Sequence, residues 1–432
     1  MLGPIFVFGL LAFICVKALQ HPAYGIIGFY SFVTLDPVWN WRWSLPEGFD
    51  YQNYIVIATF LGWAFNGFRI TPQSKMSKWG LTIAFTFYIW SWICTSQSID
   101  PVRSRFFMEY LGKILLLFSI GVLTIDTPKK LIFLLALTLL GQSYNAYQIN
   151  LDYFQTGFAR WAYQDWGSKG VDNNGYQLIT LPIIGLALGF FCCTSEPKRK
   201  TAYLILAVLM AHQIMLSFSR GAMLGGLTMI PITWLLMPRG KKSGLYLLAG
   251  LFIGSVLAGP SVVKEFNTIF ADEAERDTSA ESRIYLWKAG WRITMDYPMF
   301  GTGPDAARRL VASDTYYDGT ERSANKALHN LYFDVSTGTG IPGFLLFISL
   351  FTLPIFASVK IYKFSRLGRN AKLVPLIILI GLSGYFIGSM FSSGVLFETS
   401  YIPILAGYCI SNFEHQASSG KIFNDHYPIP VI

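Results

Sequence analysis

The chain is short of charge and of cysteine. Only 14% of its 432 residues are Asp, Glu, Lys or Arg, against 53% hydrophobic and 16% aromatic, which excludes an ordinary soluble domain. The five cysteines, Cys15, Cys94, Cys192, Cys193 and Cys409, all lie in apolar runs. No disulfide framework or zinc site is therefore expected, and they read as small core residues. There is no Walker loop, no G-x-S-x-G and no H-E-x-x-H, so the commonest nucleotide-binding, serine-hydrolase and zinc-protease signatures are missing. Repeats of solenoid period, heptads and low-complexity tracts are absent too. The amino terminus has neither a basic n-region nor an A-x-A cleavage site, and it reads as a retained helix.

What the chain does have is apolar length. Runs from Gly3–Leu19 to Tyr401–Cys409 reach bilayer-spanning size with their flanks, since about 20 residues are needed per span. They predict an all-α polytopic membrane protein with about 12 transmembrane helices. The net charge of +9 is a topology signal. Arg69/Lys75/Lys78, Lys129/Lys130, Lys198/Arg199/Lys200, Arg239/Lys241/Lys242 and Lys360/Lys363/Arg366/Arg369/Lys372 fall in every second loop, the positive-inside pattern of cytoplasmic loops. The bases form no patch for nucleic acid. The expected organisation is a helical block over 1–260, an outward loop over 261–330, further spanning helices over 331–411, and a cytoplasmic tail over 412–432.

That outward loop is the one long polar segment, and loops carry the chemistry an apolar scaffold cannot. Within it Ala280–Asp296 reads as a helix, with Trp287, Trp291 and Met295 recurring at i, i+4, i+8 and Asp277 to Ser279 as caps. Phe300 to Asp305 and Gly338 to Gly343 read as turns. His329 stands where the loop re-enters the bilayer, followed by Asn330, and a neutral imidazole there can take a proton from a hydroxyl. The alternative is a loop histidine with no task. Arg220 lies in the outward turn Ser217-Phe218-Ser219-Arg220-Gly221. A guanidinium fork beside two serines suits a phosphate, and Gly221 would let helix N–H groups approach the same anion. Its alternative is an interfacial anchor. Arg283 supplies a second cation or, on the plain reading, a solvated helix face. His212 reads as a core hydrogen-bonding residue. Glu273 and Glu275 lack a histidine beside them, so no metal site is expected.

Ser217 to Ala222, Arg283, Trp287, Gly301-Thr302-Gly303, His329-Asn330 and Gly338 to Gly343 together resemble the O-antigen ligase/polymerase superfamily. The run from His21 through Pro37 is also similar to O-glycosylation ligases associated with exosortase systems. The resemblance implies a GT-C-like enzyme of the bacterial inner membrane, with its active site on a large periplasmic loop containing short helices. Such an enzyme passes a glycan from undecaprenyl diphosphate to an acceptor hydroxyl, without cofactor or metal and with inversion. Arg220 and Arg283 would hold the donor diphosphate and His329 would activate the acceptor. Ser217, Ser219, Gly221 and Asn330 would support them. The acceptor that the resemblance favours is lipid A–core, which makes the protein an O-antigen ligase of lipopolysaccharide biosynthesis. The alternatives are an O-antigen or exopolysaccharide polymerase and a protein O-glycosylation ligase. A transporter or flippase would instead show internal repeats and midplane charges. The charges in the runs, Lys17, Glu109, Lys113, Asp334 and Glu398, lie mostly near predicted ends.

Overall fold

The computed structural model describes residues 2–167, 170–237, 243–267, 278–311, 313–319, 326–364 and 372–420. The expected cap at Asp277, the acids Glu273 and Glu275, the bases Arg239, Lys241, Lys242, Arg366 and Arg369, and the tail beyond Gly420 lie outside them. Among the described residues the elements are helical: α1 (Leu2–Gln20), α2 (Pro22–Leu35), α3 (Pro37–Asn40), α4 (Tyr51–Phe65), α5 (Lys75–Ser96), α6 (Pro101–Thr124), α7 (Pro128–Thr156) and α8 (Asn173–Cys193). They continue with α9 (Pro197–Leu216), α10 (Arg220–Leu236), α11 (Ser243–Asn267), α12 (Thr278–Asp296), α13 (Arg308–Val311), α14 (Leu331–Phe364), α15 (Leu373–Gly388) and α16 (Tyr401–Ser418).

Local chemistry sets many of the starts. Asp36, Asp50, Ser74, Asp100, Thr127 and Asp172 accept backbone N–H bonds at the first turns of α3, α4, α5, α6, α7 and α8, satisfying donors that a helix leaves orphaned. Pro22, Pro37, Pro101, Pro128 and Pro197 each open a helix, where the missing N–H costs nothing.

Among the described residues four helices are long and apolar enough to cross a membrane: Gly3–Gln20, Pro101–Thr124, Asn173–Cys193 and Leu331–Phe364. Phe13, Val16, Phe60, Phe65, Phe85, Leu235 and Phe252 point outward from the bundle, as lipid-facing side chains do. The most enclosed helix is α8, packed by α7, α9, α10 and α15. A Cβ on Gly185 would fall on the backbone of Gly381, and one on Gly225 would sit 2.6 Å from the Gly384 carbonyl oxygen. Small residues let these backbones meet.

Above this bundle α12 forms a second, smaller core. The helix expected over Ala280–Asp296 is present, but its buried stripe is Leu286, Ala289 and Ile293, packed on Ala307, Val311, Tyr316, Tyr317 and Leu328. Trp291 and Met295, on the recurring stripe read from the sequence, are exposed. The residues that face this core are smaller, with Trp287 partly buried against them.

The expected turn at Gly338 to Gly343 is instead a break inside α14, where Gly340 takes φ 71 and ψ −179. Pro342 has no N–H for the Gly338 carbonyl, which accepts from Gly303 N–H at 3.1 Å. The Thr337 carbonyl accepts Thr302 N–H at 2.7 Å and the Thr339 carbonyl accepts Trp90 Nε1–H at 2.8 Å. Ile341 N–H turns away to the Pro298 carbonyl at 2.8 Å. The two glycine-rich segments thus repair one another, and they seat the outer loop on the broken helix. Gly340 has a left-handed φ and its missing Cβ would overlap the Met299 carbonyl. Gly340→Ala is therefore expected to destabilise the protein by about 1–3 kcal/mol, read as a lowered melting temperature in detergent; an unchanged melt would refute the seating role.

Candidate active site

Two turns and one cap converge at the ends of α8, α10 and α14. Asp172 caps α8 by accepting Gly175 N–H at 2.7 Å. The next two residues hold the Arg220 turn: Asn173 donates to the Ser217 carbonyl at 2.8 Å, and the Asn174 side-chain oxygen accepts from Ser219 Oγ at 2.8 Å. Ser217 Oγ donates to the Ile214 carbonyl at 2.7 Å. Both serines are buried. Their hydroxyls are engaged in bracing the turn. Phe218 is forced to φ 55, and α10 begins at Arg220, which is half-buried. The first helical bond is Met223 N–H to Ser219 O at 3.0 Å, so the N–H groups of Arg220, Gly221 and Ala222 precede the ladder.

Gly221 needs a different account from the one expected. A Cβ there would collide with the Phe391 side chain, and Phe391 in turn packs on Trp287 with ring centroids 5.6 Å apart. The glycine therefore admits Phe391, and Phe391 links the Arg220 turn to α12. Arg283 lies one turn before Trp287 on the same side of α12. A hydroxyl pair, Thr294 Oγ1 and Ser336 Oγ at 2.9 Å, fixes α12 against α14.

His329 sits just before α14 with φ 50. Asn330 explains how it is held. Its side-chain oxygen accepts Tyr332 N–H at 3.0 Å and Phe333 N–H at 3.2 Å, and its amide donates to the Met390 carbonyl at 3.0 Å. Leu331 N–H adds a bond to the Ser389 carbonyl at 2.9 Å. Asn330 is a cap and a tether. Three of the non-glycine residues with positive φ, Phe218, Asp305 and His329, fall at this end of the molecule; such strain collects at functional sites.

His329 opens into a cavity of about 400 Å³. Its polar wall is Asp172, Asp305, Arg308, Asp334, Ser392 and Ser393, and its apolar wall includes Phe87, Phe107, Val335, Leu396 and Phe397. Arg220 and Arg283 are not in that wall, although the charge of Arg283 reaches the imidazole. Burial pushes the His329 imidazole below its ordinary value; Arg283, Arg308 and Lys326 push it the same way, against Asp172. The ring is thus neutral at neutral pH, the form that accepts a proton.

Several wall residues were missed from the sequence. Asp172 is legible as a cap before an apolar run, but nothing local says that it faces a histidine more than a hundred residues on. Asp305 and Arg308 pair at 2.6 Å, and Arg103 reaches the same carboxylate at 3.4 Å. His212 is the core residue expected, bonded to the Asn150 side-chain oxygen at 2.5 Å and the Leu257 carbonyl at 3.0 Å. Among the described residues no group of three or more His, Cys, Asp or Glu is arranged to hold a metal ion.

Residues 205–348 match the family model described as O-antigen ligase. That stretch contains Arg220, Arg283 and His329, while Asp172 and Ser393 lie outside it. No curated protein matches the chain.

Proposed function

We propose, for a chain whose residues 205–348 match the O-antigen ligase family model, that this protein is a glycosyl-transferring membrane enzyme that moves a glycan from undecaprenyl diphosphate to the hydroxyl of an acceptor, most specifically lipid A–core. The observation that carries the reading is the cavity in which a neutral His329 sits within the field of Arg283. In the reaction the acceptor O–H bond breaks and its proton passes to the imidazole. The new bond forms from that oxygen to the anomeric carbon as the bond to the donor phosphate breaks, and the configuration inverts. Undecaprenyl diphosphate leaves with its charge met by Arg220 and Arg283 and by the N–H groups that open α10. Arginine forks supply this stabilisation without a cofactor.

The lipid half of the donor has a fitting surface. An apolar groove of about 400 Å³ between α8, α9, α10 and α11 includes Met215 and Met223, which flank the Arg220 turn. A polyprenyl chain lying there would bring its diphosphate to Arg220. In this reading the chain has about 12 spans in a GT-C-like arrangement in the bacterial inner membrane, and the cavity opens to the periplasm.

A polymerase needs a second cationic site for a second lipid-linked glycan. Four candidates for one already hold carboxylates: Arg103 and Arg308 on Asp305, Arg309 on Asp100 at 2.7 Å, and Arg292 on Asp318 at 2.8 Å. This favours ligation. The test is deletion of the gene, read by glycan gel, with in vitro transfer by the purified protein in EDTA. Expected is loss of polymer from lipid A–core while polymer accumulates on undecaprenyl diphosphate. Acceptors capped by single repeat units would establish a polymerase instead. Unchanged lipid A–core with loss of a protein glycan would establish a protein O-glycosylation ligase.

A further inference from the structure

The His329 cavity holds two polar atoms that the mechanism above does not use. Asp334 Oδ2, in the first turn of α14, is buried without a hydrogen-bond partner, and so is Ser393 Oγ, in the segment after α15. Both side chains belong to the cavity wall, and Ser393 is the hydroxyl that faces the Asp334 carboxyl. A buried acceptor left unpaired costs about 1–3 kcal/mol, and such atoms are rare in native structures unless something binds them. The groups come from elements far apart in sequence, so the pairing belongs to the fold. Around them Phe87, Phe107, Leu396 and Phe397 give an apolar wall. A sugar ring has this same pairing of surfaces, with hydroxyls at its edge and a C–H face beside them.

Resting on the glycosyl-transfer reading, we propose that Asp334 and Ser393 form a sugar-hydroxyl subsite that holds a ring beside His329. One hydroxyl donates to Asp334 Oδ2, and its neighbour exchanges a hydrogen bond with Ser393 Oγ, which both donates and accepts. The ring belongs either to the acceptor or to the first sugar of the donor, and both present the same vicinal hydroxyls. Neither residue handles the reacting proton, so both act in binding.

The experiment is steady-state transfer by the full-length protein in lipid nanodiscs, comparing wild type with Asp334→Asn and Ser393→Ala. The KM of one substrate is expected to rise about ten-fold or more in Asp334→Asn, as an amide replaces the carboxyl group that meets the sugar hydroxyl, with kcat changed much less. A rise in acceptor KM alone assigns the ring to the acceptor; a rise in donor KM alone assigns it to the donor. Both KM values within about two-fold of wild type would overturn the subsite while leaving the transfer reading intact. Saturation-transfer NMR is independent of turnover and uses two soluble probes, free core oligosaccharide and free O-antigen repeat unit. Signal on one probe with wild type, lost in Asp334→Asn, supports the subsite even where transfer fails. Equal signal in both proteins, or signal on neither probe, overturns it.

Discussion

His329→Ala is expected to lower turnover by about 10²–10⁴-fold, the range for a positioned general base, while the protein reaches the membrane at its normal level. The expectation that folding survives rests on where the imidazole points. Asn330 and Leu331 make the tethers at this corner, and no described residue hydrogen-bonds the His329 ring. The pH profile gives the second readout. Burial is the first cause of the lowered imidazole value, with Arg283 next. A base whose folded value lies below 6.5 stays neutral until the pH falls through that lower value. The acid limb of kcat should therefore have its midpoint below 6.5, and Arg283→Gln should move that midpoint upward. A wild-type rate in His329→Ala, or an acid limb centred above 6.5, would remove the histidine from the base role.

The sequence made the corner legible in pieces, because each piece is a local pattern. The serine–arginine turn, the His329-Asn330 pair and the glycine-rich segments are short and ordered along the chain; the structure sets the first two at the ends of α8, α10 and α14 and joins the glycine-rich segments to one another at the break inside α14. What stayed illegible was whatever depends on which surfaces meet. Gly221 reads as permission for a phosphate until Phe391 is seen filling the space. Ser217 and Ser219 read as anion ligands until Asn173 and Asn174 claim that turn. Asp334 reads as a charge near the end of a span. Only the fold shows its oxygen facing a cavity shared with His329. The buried stripe of α12 is illegible for a related reason: the recurring bulky residues do not mark it, and burial there selects leucine, alanine and isoleucine.

Arg220→Lys is expected to reduce kcat/KM for the lipid-linked donor by about 10²–10³-fold, the loss seen when one donor to a developing anion is removed. Lysine is the informative replacement because the two accounts of Arg220 disagree about it. An interfacial anchor needs a long apolar stem and a charge that reaches water, and lysine supplies both. A diphosphate clamp needs a planar fork that meets two oxygens at once, and an ammonium cannot form one. Position favours the clamp. Arg220 opens α10 on a turn braced by two side-chain amides and strained at Phe218, so its stem leaves the backbone at a fixed place. Arg283 provides the control. If both guanidinium groups act on one diphosphate, Arg220→Lys and Arg283→Lys share a single task, and the double variant should fall short of the product of the single losses. Independent, multiplicative losses would put the two arginines on different groups. Donor kinetics in Arg220→Lys within a few-fold of wild type would return it to the role of anchor, and the α10 N–H groups with Arg283 would be left to meet the leaving diphosphate.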